Sequence, residues 1–490
     1  MTLRPTSPLP ADAGHCLLVP GFLTEAECAE LIALSERSGY ANAATDYPPS
    51  YRNNDRFVID SDALADRLGE RLRAHAPATL AADGKAWQFD GVNERFRFCR
   101  YRAGQRFGIH RDGVHHRGAD RRSHLTLLVY LTDGAAFDGG DTVFYAQGPA
   151  GRDDGGQPDE QGRVRPRAGS LLLFDHAIWH AGDDVTAGTK HVLRSDILYR
   201  AAATDGSAAV ERDEHDGYVW TLAALDEGHV ASGGRDAVIR IRDADGRAVR
   251  HLRGHRQSVL GIAALPGRRL ASVSRDRTLR VWDWASGACK AEVRAHDTAV
   301  LDVIALPDGR LATGGADGLV KLWDQDGRAL GSLAGHAGWV WQLAACGDGS
   351  IASASEDGTV RIWDAVAMRC AAVLDAGQPL RTLLVADDML WTGDIGGRIV
   401  CWTPEAGGWT RRSQFQAHRA AVRRLRGIGD GLVASGGEDG ALRVWDAGGT
   451  QVFEARHDDF VTDALRRGDA ILSSSYDGRI LTHSLARTTP

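Results

Sequence analysis

The sequence predicts a mainly β protein built as two domains, and three observations carry that expectation. A chain of 490 residues is too long for one core at the usual scale of about 100–200 residues per domain. From about residue 215 a unit of roughly 40 residues recurs to the end, which is the signature of a repeat architecture. The residues before it show no repeat, and carry two helical patterns followed by short apolar or alternating segments of strand type.

Composition narrows the function classes. A formal net charge of -7 leaves no overall electrostatic footprint for nucleic acid or an anionic membrane, so polyanionic partners are not expected. The seven cysteines, Cys16, Cys28, Cys99, Cys289, Cys346, Cys370 and Cys401, are scattered and form no CxxC pair. They read as reduced, small apolar residues, not as a disulfide framework or a zinc knuckle. The N-terminus lacks an apolar core behind a basic start, and no stretch approaches the roughly 20 apolar residues of a membrane span. A soluble, cytoplasmic protein is the expectation. Lysine is scarce, occurring at Lys85, Lys190, Lys290 and Lys321 alone, so a lysine at a meaningful position carries weight.

The segment TEAECAELIALSERSG (24–39) has a Thr cap and helical apolar spacing, and a second helix is expected at 62–75. On the strand 95–101, alternation puts Arg95, Arg97 and Tyr101 on one face, opposite Phe96 and Phe98. The segment RFCRYRAGQRFGIHRDG then carries His110-Arg111-Asp112. An HxD pair at a strand end sets an imidazole and a carboxylate on one side of the backbone, two of the three donors of a facial metal site. Alone, HxD is weakly specific. After the strand HLTLLVYL (124–131) come Gly139-Gly140-Asp141-Thr142-Val143-Phe144 and the apolar SLLLFDHAIWHAG (170–182), which contains His176 and His180. The strand VTAGTKHVLRSDILY (185–199) follows, with Lys190 ten residues beyond His180.

This order and spacing, Tyr, HxD, GG-x-T, a distal His followed by x-Gly and a basic residue ten positions on, resembles the prolyl 4-hydroxylase-like branch of the iron(II)- and 2-oxoglutarate-dependent dioxygenases over about residues 15–200. The resemblance implies a double-stranded β-helix, or jelly roll, braced by the N-terminal helices. It implies iron(II) held by a facial triad of His110, Asp112 and His180, with 2-oxoglutarate and dioxygen as co-substrates and ascorbate as a candidate reductant. Lys190 would supply a charge-assisted bond to the far carboxylate of 2-oxoglutarate, and Tyr101 and Thr142 would hydrogen-bond the co-substrate. Parity places Arg194 on the face of Lys190, where it could help hold the co-substrate or a substrate carboxylate. If Tyr101 points into the barrel then Arg95 and Arg97 do too, and they are candidates for substrate contact, with salt bridges to Asp or Glu at the barrel mouth the equal alternative. His176 has the wrong spacing to Lys190 for the distal ligand. His115, His116 and His124 lie in a polar, Arg-rich segment and read as solvated.

The repeat units line up on His215, His255, His296, His336, Asp375-Ala376, His418 and His457. Four carry a shared turn and strand, SRDRTLRVWD (274–283), GADGLVKLWD (315–324), SEDGTVRIWD (355–364) and GEDGALRVWD (437–446). Residues 207–488 resemble the WD-repeat family, which implies a four-stranded blade per unit and a seven-bladed β-propeller. The unit-opening His and the Asp six residues before each Trp (Asp276, Asp317, Asp357, Asp439) would then form a structural hydrogen-bond network. Two units depart: the first has Arg242 in place of Trp, and the fifth lacks the His and has Gly396 in place of the turn Asp. The last unit ends on an inner strand, and SAAVER (207–212) is a candidate to supply its outer one. Tyr218, Trp339 and Phe460 are expected near one rim as a protein or peptide interface, while Trp220 and Trp341 read as strand-core residues.

The expected domains are therefore 1–203, the dioxygenase, and 204–490, the propeller. The leading function is hydroxylation of a substrate C–H bond, on a peptide or protein, prolyl among the candidates, docked by the propeller. Collagen-type members carry a bulky aromatic six residues after the Lys, whereas this chain has Asp196. Two other readings are a small-molecule or free amino-acid hydroxylase whose propeller serves assembly, and a WD-repeat scaffold with a vestigial oxygenase domain.

Overall fold

The computed structural model describes residues 4–10, 12–43, 52–82, 85–117, 121–146, 158–201, 215–405 and 408–485. The chain divides into two compact units, Met1–Arg212 and Asp213–Pro490. Among the described residues no helix is long and apolar enough to cross a membrane. All seven cysteines are free of disulfides, and Cys289 is the exposed one.

After a first strand, Cys16–Val19, the first unit carries two helices, α1 (Glu25–Ser38) and α2 (Asp62–Leu72). Thr24 caps α1 in a reciprocal box, its hydroxyl accepting from Glu27 N at 3.2 Å while the Glu27 carboxylate accepts from Thr24 N at 2.9 Å. Helix α2 stops short of the expected residue 75. Ala76 N closes a turn on Leu72 O at 2.8 Å, and Pro77 has no N–H to carry the ladder further.

The strand Trp179–Ala201 organises the rest, because it runs through two sheets. Its first part pairs with Gln105–His110, Thr142–Tyr145 and Phe137–Gly139, and its second part with Arg95–Arg102, Arg121–Tyr130 and Lys85–Val92. The result is the double-stranded β-helix. Side-chain alternation splits each strand between two cores. Phe96, Phe98, Leu125, Leu127, Leu171, Leu173, Leu193 and Ile197 face outward and bury against Leu31, Leu64, Leu68 and Leu72 of the helices. Tyr101, Tyr130, Leu172, Phe174 and Val192 face inward. Because Leu193 and Ile197 belong to the helix side, Lys190, Val192, Arg194 and Asp196 all project into the barrel.

The second unit is a seven-bladed β-propeller: six four-stranded sheets, then a three-stranded one formed by Val461–Arg467, Ala470–Ser475 and Ile480–Ser484. The segment 207–212 lies outside the described residues. The expected network holds the blades. In the fourth, His336 donates from Nδ1 to Asp357 at 2.9 Å, and Ser353 Oγ bridges His336 Nε2 at 2.7 Å and the Trp363 indole at 2.8 Å. The same arrangement recurs on His255, His296 and His418. In the seventh blade His483 stands where the others place Trp, 2.6 Å from Ser473 Oγ. In the fifth, Asp394 does the work denied to Gly396, accepting from Arg398 N and Nε at 2.9 Å.

The seam between the last and first blades is polar. Asp463, fully buried, accepts from Leu222 N at 2.9 Å and from Arg426 at 2.8 Å, and Arg426 also donates to Leu222 O at 3.1 Å. Of the residues expected at the rim, Trp339 and Phe460 are buried, and Tyr218, half-buried, stacks on Tyr476 with ring centroids 4.2 Å apart. Their exposure was overestimated because each has an aromatic neighbour to pack on: Trp341 for Trp339 and Tyr476 for Phe460. Trp220 and Trp341 are only half-buried, and the Trp341 indole donates to Glu356 at 2.7 Å, so the strand-core reading is corrected as well.

Candidate metal centre

His110 ends the strand Gln105–His110, and His180 is its register partner on Trp179–Ala201. Direct cross-strand pairing brings the two imidazoles side by side, with ring centroids 4.2 Å apart. Asp112, two residues past the strand end, is anchored by its own N–H on the His176 carbonyl at 3.1 Å. Its carboxylate oxygens lie 3.4 Å from His110 Nε2 and 3.7 Å from His180 Nε2. One ligand atom from each of the three residues can be chosen with all of them within 4.8 Å, and all three side chains are buried.

Orientation of the rings follows from their other nitrogens. His110 Nδ1 donates to Gly108 O at 2.7 Å and His180 Nδ1 to Ile178 O at 3.0 Å. A proton held on Nδ1 leaves the Nε2 lone pair of each ring aimed at the space beside Asp112. Burial pushes the His180 imidazole down to about 3, helped by its neighbour His110, and lowers that of His110. Burial alone would raise the Asp112 carboxyl, but Arg194 and the two imidazoles hold it well below the usual range. Two neutral imidazoles and a carboxylate, already in ligating protonation states, fit a divalent first-row metal with open positions.

Two further side chains hold Asp112. Thr126 Oγ donates to one carboxylate oxygen at 2.5 Å, and the Arg194 guanidinium is ion-paired with the other. Thr126 faces inward because it alternates with Leu125 and Leu127, which belong to the helix-side core.

Lys190 is 3% exposed and donates from Nζ to Gly140 O at 2.6 Å. That carbonyl is presented by the Gly139-Gly140 turn, both residues at positive φ (69° and 70°), where a Cβ on Gly139 would run into Asp184 O. Tyr101 is the register partner of Lys190, its ring centroid 5.3 Å from Nζ, and Tyr130 donates to Thr142 Oγ at 2.7 Å. Burial pushes the Lys190 ammonium down to about 8 against the pull of Asp141. His110, His180, Tyr101, Thr142, Lys190 and Arg194 line one cavity, which Arg52 and Phe107 also enter.

Other sequence candidates lie elsewhere. Arg95 pairs with Asp60 at 3.2 Å, at the surface, and Arg97 with Asp196 at 3.1 Å; neither lines the cavity, and the salt-bridge alternative describes both. His176 stands outside the cluster, with Nε2 4.0 Å from Asp196. His124 is not solvated: its ring packs between Trp87 and Tyr199 at 4.8 and 5.5 Å, since the end of its strand lies over that aromatic pair. His115 is half-buried, and the side chain of His116 lies outside the described residues. Sequence reasoning missed Thr126, Tyr130 and Arg52. The first two were accessible from strand parity. Arg52 carried no signal: it sits in a segment without periodicity and reaches the cavity through Asn54, which accepts from its Nε at 2.6 Å, and Phe107, whose ring lies 4.1 Å from its guanidinium.

Residues 96–195, the span that contains the three donors and Lys190, match the family described as the 2OG-Fe(II) oxygenase superfamily. Residues 246–283, 287–324, 327–364 and 409–446 match the WD domain, G-beta repeat. The chain joins a 2OG-Fe(II) oxygenase domain to a WD-repeat β-propeller. Among curated proteins it is similar to the nuclear distribution protein nudF of Emericella nidulans, 46% identical over 55 residues covering 11% of this chain and 12% of that protein. It is also similar to the nuclear distribution protein PAC1-2 of Uncinocarpus reesii, 46% identical over 59 residues, 12% and 13% of the two chains. With PAC1 of Gibberella zeae the identity is 44% over 62 residues, 12% and 14%. The similarity spans about an eighth of each relative's length and so concerns a short stretch of each. The oxygenase family implies iron(II) and 2-oxoglutarate, and WD-repeat propellers generally mediate protein interactions.

Proposed function

We propose that the first unit is an iron(II)- and 2-oxoglutarate-dependent dioxygenase of the prolyl 4-hydroxylase-like type, and that it hydroxylates a C–H bond of a peptide or protein recruited by the propeller. The observation that carries this reading is the buried trio His110, Asp112 and His180, with both imidazole Nδ1 protons committed to carbonyls, on the same cavity as buried Lys190. When bound, iron and 2-oxoglutarate supply the oxidising chemistry, in which 2-oxoglutarate and dioxygen give succinate and carbon dioxide while a substrate C–H becomes C–OH.

The chain's own residues do the rest. His110, Asp112 and His180 would hold the metal on one face and leave its other face to ligands. Lys190 would exchange its single carbonyl partner for the far carboxylate of 2-oxoglutarate, a stronger charge-assisted bond. Tyr101 and Thr142 would orient the same molecule, with Thr142 fixed by Tyr130. Burial of these groups keeps water from competing for them. The propeller would raise the effective concentration of a docked substrate. A cytoplasmic location and ascorbate as reductant belong to the same reading.

The test is capture of binding partners from the source cell with the full chain, followed by oxygenation of the captured proteins with iron(II) and 2-oxoglutarate. Support is a residue that gains one oxygen atom with the wild type and not with His180→Ala. Gain of oxygen on a small molecule alone would instead favour a free-substrate hydroxylase.

A further inference from the structure

The inward face of Trp179–Ala201 carries two cations at opposite ends of one trough, and the reading above uses only one. Lys190 lies in register with Tyr101, beside Tyr130 and Thr142. Arg194 lies four residues on, in register with Arg97 and Leu128, beside Thr126 and Asp196. Four residues of strand separate their Cα atoms by about 13 Å. Arg194 therefore belongs to the far side of the metal centre from the co-substrate cation.

Its one ion-pair partner among the described residues is Asp112, and its Nε is buried with no hydrogen-bond partner there. Asp196 is already charge-balanced by Arg97, which donates to its Oδ2 at 3.1 Å beside Asn93 at 3.2 Å. A divalent metal and Lys190 together balance Asp112 and the two carboxylates of 2-oxoglutarate, so that set is self-neutral. Once a metal takes Asp112, the largely buried Arg194 guanidinium is left without a balancing charge of its own, which is costly unless an anion arrives.

We propose that Arg194 is the substrate-anchoring residue of the oxygenase and that it receives a carboxylate of the molecule being hydroxylated. The substrate class is thus carboxylate-bearing, either a small free acid or a peptide with an acidic side chain near the reacting carbon. A planar guanidinium with spare donors suits that group. This inference rests on the dioxygenase reading and deepens it. It also gives a role to the Asp196–Arg97 pair, which stands where the collagen-type members place a bulky aromatic: the two neutralise each other and leave Arg194 available.

The test uses the full chain loaded with manganese(II), which binds without turning over, and titration calorimetry. First 2-oxoglutarate is titrated. Then four probes are titrated into the loaded complex: N-acetylalanine and its amide, and the peptide acetyl-Ala-Asp-Ala-amide and its Asn counterpart. Each carboxylate probe that binds is expected to do so at least about tenfold more tightly than its neutral partner, with that preference lost in Arg194→Gln and partly kept in Arg194→Lys. Manganese(II) and 2-oxoglutarate are titrated into Arg194→Gln first, and the probes are compared on the loaded variant. Preference for the free acid identifies a small substrate, and preference for the Asp peptide an acidic residue. Equal binding of acid and amide by the wild type overturns the proposal without reference to any variant. So does a loaded Arg194→Gln protein that keeps the carboxylate preference, since Arg194 would then only hold Asp112. Failure of the wild type to bind 2-oxoglutarate at all overturns the dioxygenase reading itself.

Discussion

Lys190 Nζ donates to the carbonyl oxygen of Gly140 at 2.6 Å in a site that buries the ammonium almost completely. A carbonyl is a poor match for a buried cation, and the position reads as one held ready for an anion. Lys190→Met is expected to weaken 2-oxoglutarate binding by roughly ten- to a hundredfold, measured by calorimetry with manganese(II).

The same lysine gives a stability prediction with a definite sign. Burial lowers its pKa to about 8 from the ordinary lysine value of 10.5, so between these pH values the unfolded chain binds the extra proton. Stability of the ligand-free oxygenase unit should therefore rise from pH 8 to pH 10.5, by at most on the order of 3 kcal/mol, and the rise should be missing in Lys190→Met. Urea denaturation of both proteins across that range checks it. Equal pH slopes would show that the ammonium is not destabilised by its surroundings.

Arg97 and Asp196 should behave as structure and not as substrate contacts. Their side chains are 14% and 4% exposed, so Arg97→Ala strands a buried carboxylate and is expected to cost about 3–5 kcal/mol. Arg95 faces Asp60 at the surface, and Arg95→Ala should stay within about 0.5 kcal/mol of wild type. Thermal and chemical denaturation distinguish the two, and equal stabilities would return Arg97 to the list of substrate residues.

Restoring the repeat pattern in the fifth blade should do harm. A Cβ on Gly396 would sit 3.2 Å from Asp394 Oδ1, which already serves Arg398. Gly396→Asp adds a like charge there and is expected to destabilise the propeller by about 1 kcal/mol. A stabilised variant would mean that Asp394 does not fill the role. At the seam, Asp463→Ala should cost about 3 kcal/mol or more, since Arg426 loses its carboxylate and Leu222 N its acceptor. Loss of cooperative unfolding of the propeller, followed by tryptophan fluorescence, is the expected sign.

Much of this was legible before any coordinates. Strand parity alone placed Lys190 with Arg194 on one strand and Arg95, Arg97 and Tyr101 together on another, and motif spacing singled out His110, Asp112 and His180. Period could not tell which acid each inward arginine would find: Arg97 pairs with Asp196 of the neighbouring strand, and Arg194 with Asp112, which lies past a strand end. Arg52 was invisible because nothing in its neighbourhood repeats. The propeller's blade count followed from the six opening histidines and the Asp375-Ala376 position that replaces one in the fifth unit. The fate of its aromatics did not, since whether Trp339 or Phe460 is covered depends on neighbours such as Trp341 and Tyr476, contacts that the period of the repeat does not encode.

The most direct measurement is succinate formation from 2-oxoglutarate by full-length protein loaded anaerobically with iron(II) and then exposed to oxygen, beside His180→Ala and Lys190→Ala. Turnover by the wild type, even without an identified substrate, and its loss in both variants is the result expected here. No turnover, together with no iron(II)-dependent binding of 2-oxoglutarate, would contradict the account and leave the propeller as the functional half of the chain.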